Sequence, residues 1–78
     1  MTKKPTLEER LGDAIRARRE TLNLSQEAFA AECGLHRTYI SQLERGLKSP
    51  TVRTLALIAE KLQLTPDELL RAALRKDK

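Results

Sequence analysis

Aromatic residues and cysteine are almost absent from this 78-residue sequence, and their scarcity excludes several kinds of function. Phe29 and Tyr39 are the only aromatic residues, so the chain has almost no side chains on which the bases of RNA or single-stranded DNA could stack. A single cysteine, Cys33, cannot form an intramolecular disulfide and fits a reducing compartment. No apolar run approaches the ~20 residues of a membrane-spanning helix, and no signal-peptide core is visible. We therefore expect a soluble, cytoplasmic protein without a membrane partner.

The residue combinations that carry out catalysis are also missing. The chain has one histidine, His36, and lacks paired carboxylates in an apolar setting, a metal-ligand cluster and a Gly-rich phosphate loop. We interpret Cys33 as a small buried hydrophobe, because one cysteine beside one histidine makes neither a metal site nor a catalytic dyad. The sequence predicts no catalytic residue, no metal, no cofactor and no small-molecule ligand.

Basic charge is what the chain has instead. It carries 15 Lys and Arg against 11 Asp and Glu, and its net charge of +4 suits an anionic partner. Residues 36–53 contain four basic residues and one acidic residue, Glu44, so this segment is net +3 (four minus one). A chain of this length forms one domain with a small core, which makes dimerisation a plausible source of further stability.

Residues 25–46 predict two short helices joined by a tight turn. Ser25 is a good N-cap for the first helix, and Gly34 falls where that helix must stop and reverse. In the second helix Ile40 and Leu43 are three residues apart and face inward, which leaves the polar side chains outside. Two helices joined by a short turn containing glycine form the unit that places a recognition helix in the DNA major groove.

This segment resembles the helix-turn-helix of the Cro/cI/Xre-type transcriptional repressors. The matching positions are Gln26, Ala30, Gly34, Ile40, Leu43, Glu44 and Gly46. Residues 37–41, followed by Glu44 and Arg45, are also similar to the restriction-modification controller proteins, a small dimeric branch of that family. The resemblance extends from about residue 7 to residue 70. It implies an all-α, five-helix, lambda-repressor-like DNA-binding domain.

The second helix carries the candidates for base recognition. Arg37 and Thr38 lie at its start, the end that enters the major groove first. The planar fork of an arginine matches the O6 and N7 acceptors of guanine, and a threonine offers a hydroxyl or a methyl group. Ser41 and Gln42 follow one turn later, and glutamine suits adenine. We predict that these four residues read bases.

Other polar residues are better suited to the DNA backbone, contacts that position a protein without specifying sequence. Arg45, Lys48 and Ser49 lie around the loop after the second helix. The resemblance adds Gln26, at the first turn of the first helix of the motif, as a side chain that donates to a phosphate. We predict that these residues contact phosphates.

Each of three features has two possible interpretations. His36 stands where the family usually has Asp or Ser as N-cap, and it either contacts DNA or is exposed and neutral. Tyr39 either packs on the edge of the domain or meets the DNA backbone, and the controller resemblance favours the DNA contact. Residues 1–5 form a flexible basic arm with Lys3 and Lys4, interpreted as a solvated terminus in preference to a phosphate contact.

The resemblance also implies a structural pair. In the repressors of this family an arginine at the position of Arg19 pairs with the glutamate that matches Glu44, beneath the DNA-binding surface. The alternative is that Arg19 is one more surface arginine of the first helix. We favour the pair, and we expect it to serve architecture and not base recognition.

Apolar spacing outside residues 25–46 predicts the rest of the core. The first helix, capped by Thr6 with Glu9, contributes Leu7, Leu11, Ile15 and Leu22, and the fourth contributes Val52, Leu55, Ile58, Ala59 and Leu62. Thr65, Pro66 and Glu68 give a clear start to a C-terminal helix over residues 65–75.

The apolar side chains of the last two helices exceed what one small core absorbs. The surplus predicts a self-complementary patch and a C2 dimer. Its predicted members are Leu57, Leu64, Leu69, Leu70, Ala73 and Leu74. The alternative is that the fifth helix only folds back on the first.

Together these observations predict a transcriptional regulator that binds a pseudo-palindromic operator in double-stranded DNA as a homodimer. The controller resemblance implies autoregulation, with RNA polymerase occluded or contacted at the promoter. Two alternatives are an antitoxin of a toxin–antitoxin pair and a protein-interaction adaptor that has lost DNA binding. Gln26, Arg37 and the positive segment 36–53 argue against the adaptor.

Overall fold

The computed structural model describes residues 3–75, which form five α-helices and no β-strand. The helices are α1 (Leu7–Thr21), α2 (Gln26–Cys33), α3 (Arg37–Glu44), α4 (Val52–Lys61) and α5 (Pro66–Leu74). The predicted all-α, five-helix architecture is therefore confirmed. Met1 and Thr2 of the predicted basic arm lie outside the described residues, and Lys3, Lys4 and Pro5 are exposed without regular secondary structure.

Side-chain caps define where four of the helices begin. The hydroxyls of Thr6, Ser25, Thr51 and Thr65 each accept the backbone N–H three residues ahead, which satisfies a donor that the helix leaves unpaired. The caps at Thr6 and Thr65 are complete capping boxes, as predicted. His36 precedes α3 without a side-chain cap hydrogen bond, so α3 lacks the side-chain cap that the other four helices have.

Four of the helices end in the same way, with a residue of positive φ followed by a leucine. The positive-φ residues are Asn23 (60°), Gly34 (69°), Gly46 (76°) and Gln63 (63°). The next leucine in each case donates its N–H to the carbonyl five residues back, at 2.9 to 3.1 Å: Leu24 to Arg19, Leu35 to Ala30, Leu47 to Gln42 and Leu64 to Ala59. This is the Schellman arrangement, and it turns the chain sharply after each helix.

The core lies where all five helices meet. α1 packs most extensively against α5 and also contacts α3, while α2 contacts both α3 and α4. Each helix region supplies at least one of the large side chains that are fully buried, which are Ile15, Phe29, Ile40, Leu43, Ile58, Leu62 and Leu69. α2 and α3 therefore pack together on one continuous apolar core, which fixes the orientation of their outer surface.

Two residues predicted for the core are exposed. Leu7 retains 51% of its surface and Val52 retains 84%, so both predictions are wrong. Each is the first residue of its helix, directly after the N-cap, and the apolar core does not extend to either side chain. Leu55, the next residue predicted in α4, is half-buried.

The predicted dimer patch also requires a correction. Leu69 and Ala73 are 0% and 3% exposed in the single chain, because α5 folds back on α1. Their assignment to a dimer interface is therefore wrong, since a side chain in the core of one chain offers no surface to a second. Leu57, Leu64 and Leu70 are half-buried, and Leu74 is 56% exposed.

The backbone of α1 comes close to that of α3 at Gly12, which is buried in the middle of α1. A Cβ atom at this position would contact the carbonyl oxygen of Leu43 and would lie 2.5 Å from that of Glu44. The absence of a side chain therefore lets the backbones of the two helices meet directly.

Candidate nucleic-acid interface

α3 has one buried and one outward face. Its buried residues are Ile40, Leu43 and Glu44. At about 100° per residue, Thr38, Gln42 and Arg45 lie opposite the buried residues, Ser41 lies beside them, and Arg37 lies at the border of the buried side. Arg37, Thr38 and Arg45 are exposed, and Ser41 and Gln42 are half-buried. The four predicted base-reading residues thus lie on the part of α3 that the core does not cover, which we call its outward face, and their contact with bases stays a prediction.

The connection between α2 and α3 aims this face outward. Gly34 takes the left-handed conformation with φ 69° and ψ 30°, and His36 returns to extended backbone before α3 begins. Beneath the turn, Phe29, Ala30 and Cys33 of α2 are buried against the core. α2 and α3, with the N-cap Ser25 and the positive-φ residue Gly46, lie within residues 25–46.

A buried ion pair connects α1 to the inner side of α3. Arg19 Nε lies 2.6 Å from Glu44 Oε2, and Arg19 Nη2 donates to Glu44 Oε1 at 3.0 Å. The two side chains are only 9% and 3% exposed. Arg19 Nη1 also donates to the carbonyl of Leu24 at 2.7 Å, so the same guanidinium holds the α1–α2 loop. The hydrogen bond to Glu44 raises the pKa of Arg19 against the opposing effect of burial, so the guanidinium stays charged.

Gln26 joins this pair, a contact that the sequence reasoning missed. Its Nε2 donates to Glu44 Oε1 at 2.9 Å, and the side chain is half-buried at the start of α2. Eighteen residues separate the two positions, so neither helical periodicity nor a local motif signals the contact. Only the packing of α2 against α3 creates it.

The remaining predicted phosphate contacts surround the outward face of α3. His36, Arg45, Lys48 and Ser49 are all exposed. Because Glu44 is buried against Arg19, the exposed charges of residues 36–53 are all positive. Such a surface attracts the phosphate backbone at long range.

Tyr39 lies between the two interpretations given for it. It is half-buried and packs against the core, as expected for a residue on the edge of the domain. A contact between its remaining exposed surface and the DNA backbone stays a prediction.

Comparison with known proteins agrees with this geometry. A family model described as helix-turn-helix, HTH_3, matches residues 15–69, which include α2 and α3 entirely. The chain belongs to the HTH_3 family. The predicted resemblance to Xre-type regulators is confirmed by this match.

Individual HTH_3 relatives include control proteins and a phage repressor. The chain is 46% identical over 48 residues to control protein C.BamHI of Bacillus amyloliquefaciens, covering 62% of this chain and 59% of that protein's length. It is 41% identical over 64 residues to control protein C.SmaI of Serratia marcescens, covering 82% and 76%. The crystal structure of the P22 c2 repressor with synthetic operator 9T has a TM-score of 0.74 at 37% identity, covering 80% and 94%. The lambda-repressor-like fold is therefore confirmed.

Two further properties of this HTH_3 domain concern other kinds of site. No helix within residues 3–75 has the length and apolar character needed to cross a membrane. In the same part of the chain, no three His, Cys, Asp or Glu side chains are grouped in a way that would hold a metal ion.

Cys33 is part of the core of the HTH_3 domain. It is 7% exposed, and burial raises the pKa of its thiol from 9.0 to about 11. The thiol is therefore protonated throughout the neutral range and behaves as a small apolar side chain.

We expect Cys33 to react slowly with iodoacetamide in the folded protein at pH 8. Because only the thiolate reacts, a pKa near 11 in place of 9.0 lowers the reactive fraction roughly 100-fold. The measurement is the alkylation rate in buffer and in guanidinium chloride. Since the folded state holds the proton more tightly, the stability contributed by this protonated thiol decreases as the pH rises from 9 through 11. Equal rates in the two solvents would show that Cys33 is not buried.

Proposed function

We propose that this chain is a sequence-specific transcriptional regulator that binds double-stranded DNA as a homodimer. The observation that carries the proposal is the outward face of α3, which carries Arg37, Thr38, Ser41 and Gln42. The control proteins and the operator-bound repressor that the chain resembles support the same interpretation.

The residues divide into two roles. Arg37, Thr38, Ser41 and Gln42 read base edges in the major groove, with Arg37 donating to guanine. The exposed residues around them, with the half-buried Gln26 and Tyr39, contact the backbone and fix the position of α3 in the groove. The exposed members are His36, Arg45, Lys48 and Ser49.

The homodimer places two α3 helices in successive major grooves, ~34 Å apart on a pseudo-palindromic operator. Leu74, with the half-buried Leu57, Leu64 and Leu70, is the part of the predicted apolar patch that remains available to a second copy. Dimerisation and operator binding are coupled by mass action, so the concentration of the protein sets occupancy. This suits control of its own promoter, by occlusion of RNA polymerase or by contact with it.

The test is selection of binding sites from a random duplex library at near-physiological salt. The proposal expects an enriched palindromic sequence whose half-site spacing matches one helical turn, and sedimentation of the protein as a dimer. Binding without enrichment, lost steeply as salt rises, would indicate a nonspecific basic surface and contradict the proposal. Enrichment of a single half-site by a monomer would contradict the dimer alone.

Replacing Arg37 by alanine is expected to weaken binding to the selected site by about 1–3 kcal/mol and to relax preference at one base pair. The effect arises because a bidentate arginine discriminates guanine from the other bases. The measurement is titration of the selected duplex and of its single-base variants by fluorescence anisotropy.

Arg71→Ala is the matched control, because Arg71 is an exposed arginine on α5 that pairs only with Asp67 at 3.3 Å. This variant removes the same charge and should leave the base preference intact. If Arg37→Ala weakens every duplex equally, Arg37 contacts the backbone and not a base.

A further inference from the structure

The hydrogen bonds around Glu44 involve more than a structural pair. Glu44 Oε1 accepts from Arg19 Nη2 at 3.0 Å and from Gln26 Nε2 at 2.9 Å, while Oε2 accepts from Arg19 Nε. No buried side-chain nitrogen or oxygen within residues 3–75 lacks a hydrogen-bond partner. The carboxylate therefore joins a buried partner, Arg19, to a half-buried one that reaches the surface, Gln26.

This contact determines which way the Gln26 amide points. An ionised carboxylate only accepts hydrogen bonds, so the amide must present its nitrogen to Glu44. The amide nitrogen has a second N–H, which the bond to Glu44 leaves for another acceptor. A DNA phosphate is such an acceptor. With the opposite orientation, the amide would present its carbonyl oxygen to the phosphate, and the oxygens of the two groups would repel each other.

The Arg19 guanidinium in turn fixes the carboxylate. Three of its nitrogens are bonded, two to Glu44 and one to the carbonyl of Leu24, the residue before the N-cap Ser25. The carboxylate and the start of α2 are thus held by one rigid group. Gln26 reaches the surface from a support that has few alternative conformations.

We propose that Glu44, held by Arg19, is a positioning residue for DNA binding: it orients the Gln26 amide so that one N–H is directed to a DNA phosphate. The inference rests on the proposed function and deepens it, because it assigns to the buried pair a role in affinity besides its role in the fold. A side chain that is already ordered loses less conformational entropy on binding.

The test is a double-mutant cycle in DNA binding. Gln26→Ala is made in the parent protein and in a background carrying Arg19→Met and Glu44→Met. The background replaces the buried pair with apolar side chains of similar length, a change that folded domains often tolerate. All four proteins are titrated with the selected duplex, and circular dichroism confirms that each is folded.

In the parent, Gln26→Ala should weaken binding about 10-fold or more, because a hydrogen bond to a charged phosphate is lost. In the methionine background, where nothing orients the amide, the same change should weaken binding by no more than about 3-fold. Equal losses in the two backgrounds would overturn the positioning role while leaving the proposed function in place. Absence of specific binding by the parent would overturn both.

A measurement on the free protein covers the case in which the methionine background does not fold. In ¹⁵N-labelled parent protein, the side-chain amide proton of Gln26 that is bonded to Glu44 should lie downfield of the usual glutamine range and should exchange slowly with water. Gln63→Ala and Gln42→Ala spectra help to assign the signals. Ordinary glutamine shifts and fast exchange at Gln26 would show that Glu44 does not hold the amide, and would overturn the proposal.

Discussion

Glu44→Ala is expected to lower the free energy of unfolding by about 3–5 kcal/mol, because it leaves the buried Arg19 guanidinium without its partner. Arg19 is only 7% exposed and cannot discard its charge, since arginine remains protonated in proteins. The same substitution removes the acceptor of Gln26 Nε2. Small domains have a total stability of about 5–15 kcal/mol, so much of the protein should be unfolded at modest urea concentrations. Urea denaturation followed by circular dichroism measures the effect.

Two controls separate the buried pair from charge in general. Glu60→Ala removes an exposed carboxylate on α4 and should change the stability by no more than about 0.5 kcal/mol. The Arg19→Met, Glu44→Met double variant should be much more stable than Glu44→Ala, because it leaves no unpaired charge. A loss below about 1 kcal/mol in Glu44→Ala would mean that water reaches Arg19 and that the pair contributes little.

Local chemistry explains why the ends of the helices could be predicted. A cap such as Thr65 with Glu68, or a positive-φ residue such as Gly34, acts within a few residues of itself. The same is true of the outward face of α3, since the positions of Ile40 and Leu43 determine which residues lie opposite. For these features the sequence contains the whole interaction, and no knowledge of the tertiary structure is needed.

Burial was predicted less well, because periodicity identifies the apolar side of a helix but not the extent of its neighbour. Leu7 and Val52 belong to apolar stripes and are nevertheless exposed, since the apolar core does not extend to the first residues of α1 and α4. Leu69 and Ala73 show the opposite error. Their burial depends on the packing of α5 against α1, whose sequences are far apart along the chain.

The interior of the candidate site shows the same limit. The pairing of Arg19 with Glu44 was predicted only from a family resemblance, and the contact of Gln26 with Glu44 was not predicted at all. Both contacts join residues from different helices, and each forms only where the helices meet. Gly12, in the middle of α1, marks a close helix contact that was likewise not predicted from the sequence.

Gly12→Ala is expected to destabilise the protein by about 1–3 kcal/mol, although alanine is the better helix former. The added Cβ would lie 2.5 Å from the carbonyl oxygen of Glu44 and 2.7 Å from its carbonyl carbon. These are backbone atoms of α3 and have no rotamer to change, so α3 must move away from α1. Such a movement should also lengthen the Arg19–Glu44 contacts, since the new methyl group meets the backbone of Leu43 and Glu44. The measurement is again urea denaturation.

Ala17→Gly and Gly34→Ala provide the comparison for this prediction. Ala17 is exposed on α1, and its change to glycine should cost about 0.5–1 kcal/mol, as expected from helix propensity alone. At Gly34 a Cβ would have no atom within 4 Å, but φ is 69°, so alanine there should cost about 1–2 kcal/mol through backbone strain only. If Gly12→Ala instead stabilises the protein, helix propensity outweighs the contact, and α1 and α3 are not held together at Gly12. A loss of stability in Gly12→Ala together with weaker DNA binding, while Ala17→Gly binds DNA as the parent does, would show that the spacing of α1 and α3 also sets the position of the outward face of α3.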